Sequence, residues 1–377
     1  MNRIHTLDSL RGIFAILIVL LHFPAAWSLL YSPIVQNGGT PVNFFFVLSG
    51  FVVTRTYVDR IQSLPALLNF ILLRLGRIWP LHGFVLLLFL ALEVAKFLAA
   101  DAGVGSPETF FAAPEFWAVF LQDLFLVNAF RNVGLFELNF PAWSIGAEFW
   151  TYLAFGLIAL AFGRSVRMAV LVMGLCLLVL LGVVDPGFGG AFGWSIFRAL
   201  FYFLVGYLTF RIWEMHKDKA LPAATALEVL MVLIIGAAIV WRQWVPTPVL
   251  VFGLIYAVTI LIFSFQSGLV SRLLRAPFFQ MIGTRSYSIY LLHIFVLSII
   301  GSVLRIADRR FDLGLYVPGE IDGVTLNLLF VGNTFLTDIA VLLVVALVIW
   351  LSGLTYRFVE QPGQRLFKRL ARRAGWG

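Results

Sequence analysis

Long apolar stretches recur along nearly the whole chain, and they decide what it can fold into. A helix needs about 20 mostly apolar residues to cross the hydrocarbon core of a bilayer. The sequence contains ten such stretches, at 10–30, 42–58, 80–100, 143–163, 167–184, 195–213, 223–242, 247–266, 286–306 and 335–356. We therefore predict an all-α polytopic membrane protein with about ten transmembrane helices.

Composition excludes the other classes of protein. Hydrophobic residues make up 61% of the 377 residues and charged residues only 12%, against roughly 25% charged residues in soluble domains. A water-facing surface needs more polar cover than this, and a disordered chain is far less apolar. The net charge of +8 matters less than where the charges lie, so we expect a lipid bilayer and no nucleic acid as partner. With Cys176 as the single cysteine, we expect no disulfide within the chain and no metal site.

The basic residues predict the orientation. Ten spans place both termini on one side, and most of the 27 Lys and Arg residues fall in segments on that side, so the positive-inside rule puts both termini in the cytoplasm. The apolar segment 116–130 would reverse this pattern if it crossed the membrane, and we predict an interfacial or re-entrant helix there. We expect the first helix to stay uncleaved, and a transmembrane domain at 1–362 to be followed by a basic cytoplasmic tail at 363–377.

Ionisable residues inside spans are costly and mark candidate sites. His22 follows Arg11 by eleven residues, about three helical turns, so both side chains lie on nearly one face of the first span. Asp8 lies three residues before Arg11 and can pair with it. Two interpretations stay open: a functional site, or a snorkelling Arg11 with a His22 that hydrogen-bonds a neighbouring helix.

Glu148 lies near the outer end of the fourth span, at a depth that differs from that of His22 by only about 5 Å. A buried carboxylate needs a partner, and a carboxylate can orient a catalytic imidazole and raise its basicity. We therefore predict a His22–Glu148 pair. In the alternative interpretation, Glu148 lies at a hydrated rim and caps a helix.

Arg74 and Arg77 share a helix face because they are three residues apart. They precede Pro80, which we predict to open the third span. Guanidinium groups form bidentate hydrogen bonds with phosphate oxygens, so the pair fits phosphate recognition. The alternative is contact with lipid headgroups.

Small and aromatic residues supply weaker signals. Ser49 and Gly50 are small enough to let two helices approach closely. Tyr290 and His293 share one face of the ninth span, where His293 either lines the same cavity or makes a structural hydrogen bond. The sequence has no Walker lysine motif, zinc-protease helix or serine-hydrolase elbow, so it gives no support for ATP hydrolysis or for those two hydrolytic chemistries.

Six segments together resemble the membrane-bound acyltransferase 3 family. They occur in family order between residues 7 and 362: the Arg11–His22 spacing, GGTPVNFFFVLSGF, RLGRIWP, PAWSIGAEFWTY, SYSIYLLH and VEQP. Asn43 stands where the family frequently has Asp, and Pro41 where Gly is common. The family often carries an extra extracytoplasmic hydrolase-like domain, and the chain resembles its stand-alone members.

The resemblance implies transfer of an acetyl or similar short acyl group from cytoplasmic acyl-CoA to a hydroxyl of a carbohydrate or glycolipid, such as a polysaccharide or lipopolysaccharide of a bacterial inner membrane. Acyl-CoA is then a co-substrate, and we expect no permanently bound cofactor. We expect Arg11, Arg74 and Arg77 to bind the donor. We expect His22 to act as general base, oriented by Glu148, or as a nucleophile that carries the acyl group. The supporting residues are Asp8, Ser49, Trp143, Tyr152, Tyr290 and His293.

Two other functions stay open at this point. A proton-coupled transporter or flippase for an acidic lipid or glycan could also use ten spans and a buried His–Glu pair. The spans contain few of the Gly and Pro interruptions that transporter sites use. The third possibility is a non-catalytic scaffold for glycan assembly, which would not explain why the chain carries ionisable groups whose burial in a membrane costs free energy.

Overall fold

The computed structural model describes residues 3–101, 110–130, 138–182, 195–245, 247–321 and 324–376, and these residues are mostly helical. The helices are α1 (His5–Leu21), α2 (Pro33–Gln36), α3 (Val42–Tyr57), α4 (Leu64–Asp101), α5 (Phe116–Leu124), α6 (Ala142–Phe162), α7 (Val166–Leu180), α8 (Ser195–His216), α9 (Ala224–Val240), α10 (Pro248–Ser264), α11 (Leu269–Leu274), α12 (Pro277–Phe311), α13 (Thr334–Thr355) and α14 (Gln361–Arg373). Two strands, β1 (Tyr316–Ile321) and β2 (Val324–Leu329), form an antiparallel hairpin.

Each predicted span overlaps one long helix. These helices are α1, α3, α4, α6, α7, α8, α9, α10, α12 and α13. In the described part of the chain, five helical segments are long and apolar enough to cross a membrane, namely α4, α6, α8, α12 and the segment from α13 through α14. The structure thus agrees with a helical membrane protein, while the number of spans and the side of the termini stay predictions.

Two predicted boundaries are wrong. The first span was expected at 10–30, but α1 ends at Leu21, with His22 as its C-terminal cap and Pro24 shortly after it. A proline lacks the N–H that a continuing helix needs. Pro80 does not open a helix either, because α4 has 38 residues and contains Pro80 in its interior. At 1.5 Å per residue α4 is about 57 Å long, longer than a hydrocarbon core of about 30 Å is thick.

The β-hairpin corrects the all-α prediction. It lies between α12 and α13, in a segment that carries no span-length apolar stretch. The N–H of Ala26 donates to the carbonyl of Leu329 at 2.8 Å, and Ala25 forms a β-bridge with Leu329. The hairpin therefore holds the chain that leaves α1 just beyond His22.

The segment 116–130 contains α5 and a short 3₁₀ helix at Val127–Phe130. The nine residues of α5 rise only about 14 Å, which is less than half the hydrocarbon core. His82 on α4 lies with its Nε2 2.7 Å from the Asp123 carbonyl, and Trp150 on α6 donates from Nε1 to the Leu126 carbonyl at 2.9 Å. This segment packs on α4 and α6, as expected of a helix that does not span alone.

Glycines set two close helix crossings. A Cβ on Gly12 of α1 would lie 2.6 Å from the backbone nitrogen of Gly283 on α12. A Cβ on Gly50 of α3 would lie 1.9 Å from the Phe203 carbonyl oxygen of α8, and one on Gly206 would lie 1.9 Å from that of Val47. Small residues allow this approach, and close packing is a main source of helix association in lipid.

The two helices at the α1–α12 crossing run parallel. Gly12 meets Gly283 and His22 meets His293, so residues ten positions further along α1 and α12 are still neighbours. The ten predicted spans cross the membrane in alternating directions, so the first and the ninth are expected to run the same way, as α1 and α12 do. This register is what brings the two histidines together.

The chain after α13 continues through a π-helical turn at Tyr356–Glu360 into α14. A Cβ on Gly76 of α4 would lie 2.3 Å from the Phe367 side chain, and one on Gly363 would lie 2.4 Å from that of Pro80. α14 therefore packs closely on α4. The predicted domain boundary after residue 362 falls in the first turn of this helix.

We expect Gly50→Ala to lower the free energy of unfolding by about 1–3 kcal/mol or more, because the added methyl group overlaps the α8 backbone. Gly174→Ala is the matched control, since a Cβ there meets nothing within 4 Å. Thermal unfolding in detergent checks both variants. Equal stability of the two variants would contradict the close α3–α8 crossing.

Candidate active site

Two histidines meet where α1 ends. His22 caps α1 and His293 lies on α12, and their ring centroids are 5.1 Å apart. Nδ1 of His22 lies 3.2 Å from Nε2 of His293. His293 is fully buried, whereas His22 is only partly buried. The fully buried ring of His293 thus contacts and positions the more accessible ring of His22.

Backbone carbonyls assign the tautomers of both rings. Nδ1 of His22 lies 2.8 Å from the Ile18 carbonyl, and Nδ1 of His293 lies 2.6 Å from the Tyr290 carbonyl. A carbonyl can only accept, so each Nδ1 carries the hydrogen in the neutral ring. Nε2 of His293, 3.2 Å from Nδ1 of His22, then shares this one hydrogen with the Ile18 carbonyl as the second, more distant acceptor. Nε2 of His22 keeps its lone pair, which is the state that a general base needs.

A cavity of about 420 Å³ lies between α1, α3, α4, α6 and α12. It follows α3 from Val42 to Thr56, a distance of about 21 Å along the helix axis. Its volume is in the range of sites for small molecules and cofactors. Its charged lining residues are Arg3, Asp8, Arg11, Arg55, Arg74, Arg77 and Glu148.

Among the described residues, Arg74 has no carboxylate partner. Its Nη2 donates to the Tyr57 hydroxyl at 3.0 Å, and its guanidinium lies over the rings of Tyr57 and Tyr152 at 4.9 and 5.8 Å. Its buried Nε has no hydrogen-bond partner in the part of the chain that the structure describes. Aromatic rings fix the group in place and leave donors for an anion.

Arg77 has a different environment from Arg74, although both were expected to bind the donor. Its guanidinium pairs with the carboxylate of Glu360, which is 1% exposed, and lies 5.3 Å from the centroid of Tyr287. Ser288 also donates to Glu360, at 2.8 Å. Arg77 lines the cavity with its charge already compensated.

Arg11 belongs to the same end of the cavity as Arg74. Its Nε donates to the Ser286 hydroxyl at 2.7 Å, and its Nη2 lies 3.1 Å from the Gly283 carbonyl and 3.3 Å from Asp8. Asp8 also pairs with Arg3 at 2.5 Å. The predicted Asp8–Arg11 pair is confirmed.

Glu148 pairs with hydroxyl groups and not with His22. Ser49 donates to its Oε1 at 2.8 Å and Tyr152 at 2.5 Å, and the two hydroxyls lie 2.8 Å from each other. The direct His22–Glu148 pair expected from the sequence is therefore wrong. The depth argument assumed that His22 lies inside a span, but α1 ends one residue earlier and turns the ring toward His293.

Tyr290 and Ser144 line the cavity near the histidines. Their hydroxyls lie 2.8 Å apart, and both residues line the cavity. Tyr290 precedes His293 by one turn, with ring centroids 6.1 Å apart, and Ser144 precedes Glu148 by one turn. His22 does not line the cavity; it contacts His293, whose Nδ1 donates to the Tyr290 carbonyl.

Trp143 belongs to the same end. Its ring lies 6.3 Å from that of Phe46, and the guanidinium of Arg198 lies over it at 5.7 Å. Sequence reasoning missed Arg198, Ser144 and Glu360 as members of the site. One feature of the sequence could have indicated Glu360: it is the acidic residue of the VEQP segment, which lies between an apolar span and a basic tail.

Within the described residues, no group of three or more His, Cys, Asp or Glu side chains is arranged to hold a metal ion. The arrangement combines a row of guanidinium donors, a narrow cavity and an imidazole with a free lone pair. These parts can bind an anionic molecule at one end and remove a proton at the other.

Comparison with known proteins gives one match. The model of a family described as an acyltransferase domain matches residues 4–357 of the chain. No curated protein and no solved structure matches it.

We expect Glu360→Gln to lower the free energy of unfolding by about 3 kcal/mol, because it leaves a partly buried guanidinium without its counter-ion. Arg77→Gln should cost a similar amount, and the double variant should recover part of the loss. A double-mutant cycle of unfolding in mixed micelles measures the coupling. Glu115→Gln, at an exposed residue, is the control. Strictly additive effects would show that the pair contributes no coupling.

Proposed function

The chain belongs to the acyltransferase 3 family and is a membrane acyltransferase, and from this premise we propose that it moves a short acyl group from acyl-CoA to a hydroxyl of a carbohydrate or glycolipid. The observation that carries the proposal is the cavity with an uncompensated arginine at one end and the histidine pair behind the other. Membership of the family favours this enzyme over the transporter. We place it in a bacterial inner membrane, where such acceptors are assembled.

The donor binds with its nucleotide at the arginine end. Among the described residues no carboxylate pairs with Arg74. Arg11 and Arg3 share the single carboxylate of Asp8 and so leave a net positive charge at the same end of the cavity. Guanidinium groups suit phosphate oxygens in charge and in geometry. Arg77 contributes less to phosphate binding than the sequence suggested, because Glu360 compensates its charge.

The acyl arm of the donor follows α3. The walls between the two ends are largely apolar, with Val42, Phe45, Phe46 and Leu48 among the lining residues. A span of about 21 Å from Thr56 to Val42 suits an extended pantetheine chain. The thioester then reaches the Tyr290–Ser144 pair.

His22 removes the proton of the acceptor hydroxyl. Nε2 takes this proton while the hydroxyl oxygen attacks the thioester carbonyl carbon. The tetrahedral intermediate collapses, the C–S bond breaks, and the thiolate of CoA takes the proton back from the imidazolium. His293 and the Ile18 carbonyl hold the ring of His22 in the required tautomer, which is the role that the sequence assigned to Glu148.

Tyr290 is placed to stabilise the oxyanion. Its hydroxyl closes the end of the cavity with Ser144, and a hydroxyl that leaves this hydrogen bond can donate to a developing negative charge. The same movement opens the cavity toward His22. Donor arrival and contact with the base are thereby linked in one step.

We expect His22→Ala to lower the rate of acyl transfer by at least about 100-fold, because general-base catalysis supplies a factor of roughly 10²–10⁴. The rate is measured with radiolabelled acetyl-CoA and a glycan acceptor on purified protein. His216→Ala, at an exposed residue, should retain the wild-type rate. Wild-type turnover by a folded His22→Ala variant would refute the assignment.

We expect Arg74→Gln to raise the KM for acyl-CoA about tenfold or more, since hydrogen bonds to charged groups contribute about 1.5–3 kcal/mol. Initial rates at varied donor concentration separate KM from kcat. The control is Arg60→Gln, which removes an exposed charge just after α3. An unchanged KM in Arg74→Gln would place the donor phosphates elsewhere.

A further inference from the structure

Arg198 is a charged residue for which the mechanism above has no use. It lies in the first turn of α8, a helix long and apolar enough to span a membrane. Nε of Arg198 donates to the Asn43 side-chain oxygen at 2.8 Å. The guanidinium also lies over the Trp143 ring at 5.7 Å.

These two contacts hold the guanidinium inside the protein. Asn43 is 5% exposed and Trp143 is 6% exposed, so the group is directed toward buried partners. A snorkelling arginine would extend to the headgroup region instead. Arg198 is therefore kept at the helix bundle, where an uncompensated charge is costly.

No carboxylate pairs with Arg198 among the described residues. Three other partly buried arginines have one: Arg11 pairs with Asp8, Arg77 with Glu360, and Arg164 with Glu214. The groups that act most on Arg198 electrostatically are three tyrosines and another arginine, namely Tyr202, Tyr256, Tyr290 and Arg242. Arg74 is the comparable case, and it lies where the donor phosphates are expected.

Arg198 lies beside the opposite end of the cavity from Arg74. Its partners Asn43 and Trp143 directly adjoin Val42 and Ser144 in the chain, and those two residues line the cavity where α3 and α6 begin. We propose that Arg198 binds an anionic group of the acceptor, a carboxylate or a phosphate, and so selects acidic glycans or glycolipids over neutral ones.

That the bound molecule is an acyl acceptor rests on the proposed function, but binding of an anion at Arg198 can be tested separately. Nε is occupied by Asn43, and the two Nη groups provide further donors. Carboxylate and phosphate oxygens match this arrangement and supply the missing charge. The two oxyanions share this chemistry and differ in source: a uronic acid in one case, a sugar or lipid phosphate in the other.

The probes are three methyl glycosides that share one sugar ring: the neutral glucoside, the glucuronoside and the glucoside 6-phosphate. Saturation-transfer difference NMR measures the binding of each to the full chain in nanodiscs, without acyl-CoA. We expect at least one anionic probe to bind about tenfold or more tightly than the neutral one. The preferred anion identifies the source of the charge.

Two variants test the residue. Arg198→Gln removes the charge, and Asn43→Asp supplies an internal carboxylate to the same guanidinium. Both should bring the three probes to nearly equal binding, while Arg60→Gln, at an exposed residue just after the other end of α3, should keep the preference. Asn43→Asp also decides the question if Arg198→Gln does not fold.

Equal binding of the three probes to the wild type, or a preference that survives Arg198→Gln or Asn43→Asp, would overturn the inference. Acyl transfer from acetyl-CoA to the same probes is measured separately. An anion preference that depends on Arg198 without any acyl product would support the anion site and refute the proposed transfer.

Discussion

The need to compensate charge inside an apolar helix bundle organises this site. Lipid offers no water to an ionisable group, so each such group must pair, hydrogen-bond or face a cavity. Arg77 and Glu360 compensate each other, and Glu148 is satisfied by two hydroxyls. Arg74 and Arg198 stay without a carboxylate in the described part of the chain, and they flank opposite ends of one cavity. These two positions, which lack internal compensation, are the ones at which we propose that anionic groups of the substrates bind.

Glycine packing gives these charges their geometry. The α1–α12 crossing at Gly12 and Gly283 fixes a parallel register that brings His22 beside His293 ten residues later. The crossing of α3 and α8 at Gly50 similarly places Asn43 beside Arg198. A larger residue at either crossing would separate the helices and lengthen both contacts. The site thus depends on backbone approach as much as on the functional side chains.

The sequence predicted the elements well and their lateral neighbours poorly. Apolar length and charge located every long helix, and the short spacing of Asp8 and Arg11 predicted their pair, because both signals are local. His22 and His293 are 271 residues apart in sequence, and no periodicity indicates which two helices will be adjacent. Similar depth suggested Glu148 as the partner of His22, but depth gives only the position along the membrane normal and not which helices are neighbours within the membrane plane. The length of α4 was missed because a stretch of about 20 apolar residues marks the membrane-crossing part of a helix and not its ends. The β-hairpin was missed because its segment has no span-length apolar stretch and was expected to be a loop between two spans.

The proposed mechanism requires a donor that extends from Arg74 to the histidine pair. An electron cryomicroscopy structure of the full chain with a non-hydrolysable thioether analogue of acyl-CoA would show this path directly. We expect phosphate density against Arg74 and Arg11, the pantetheine arm along α3, and the acyl carbonyl beyond a parted Tyr290–Ser144 pair within reach of Nε2 of His22. An analogue bound outside this cavity, or one whose acyl group stays walled off from His22, would contradict the account.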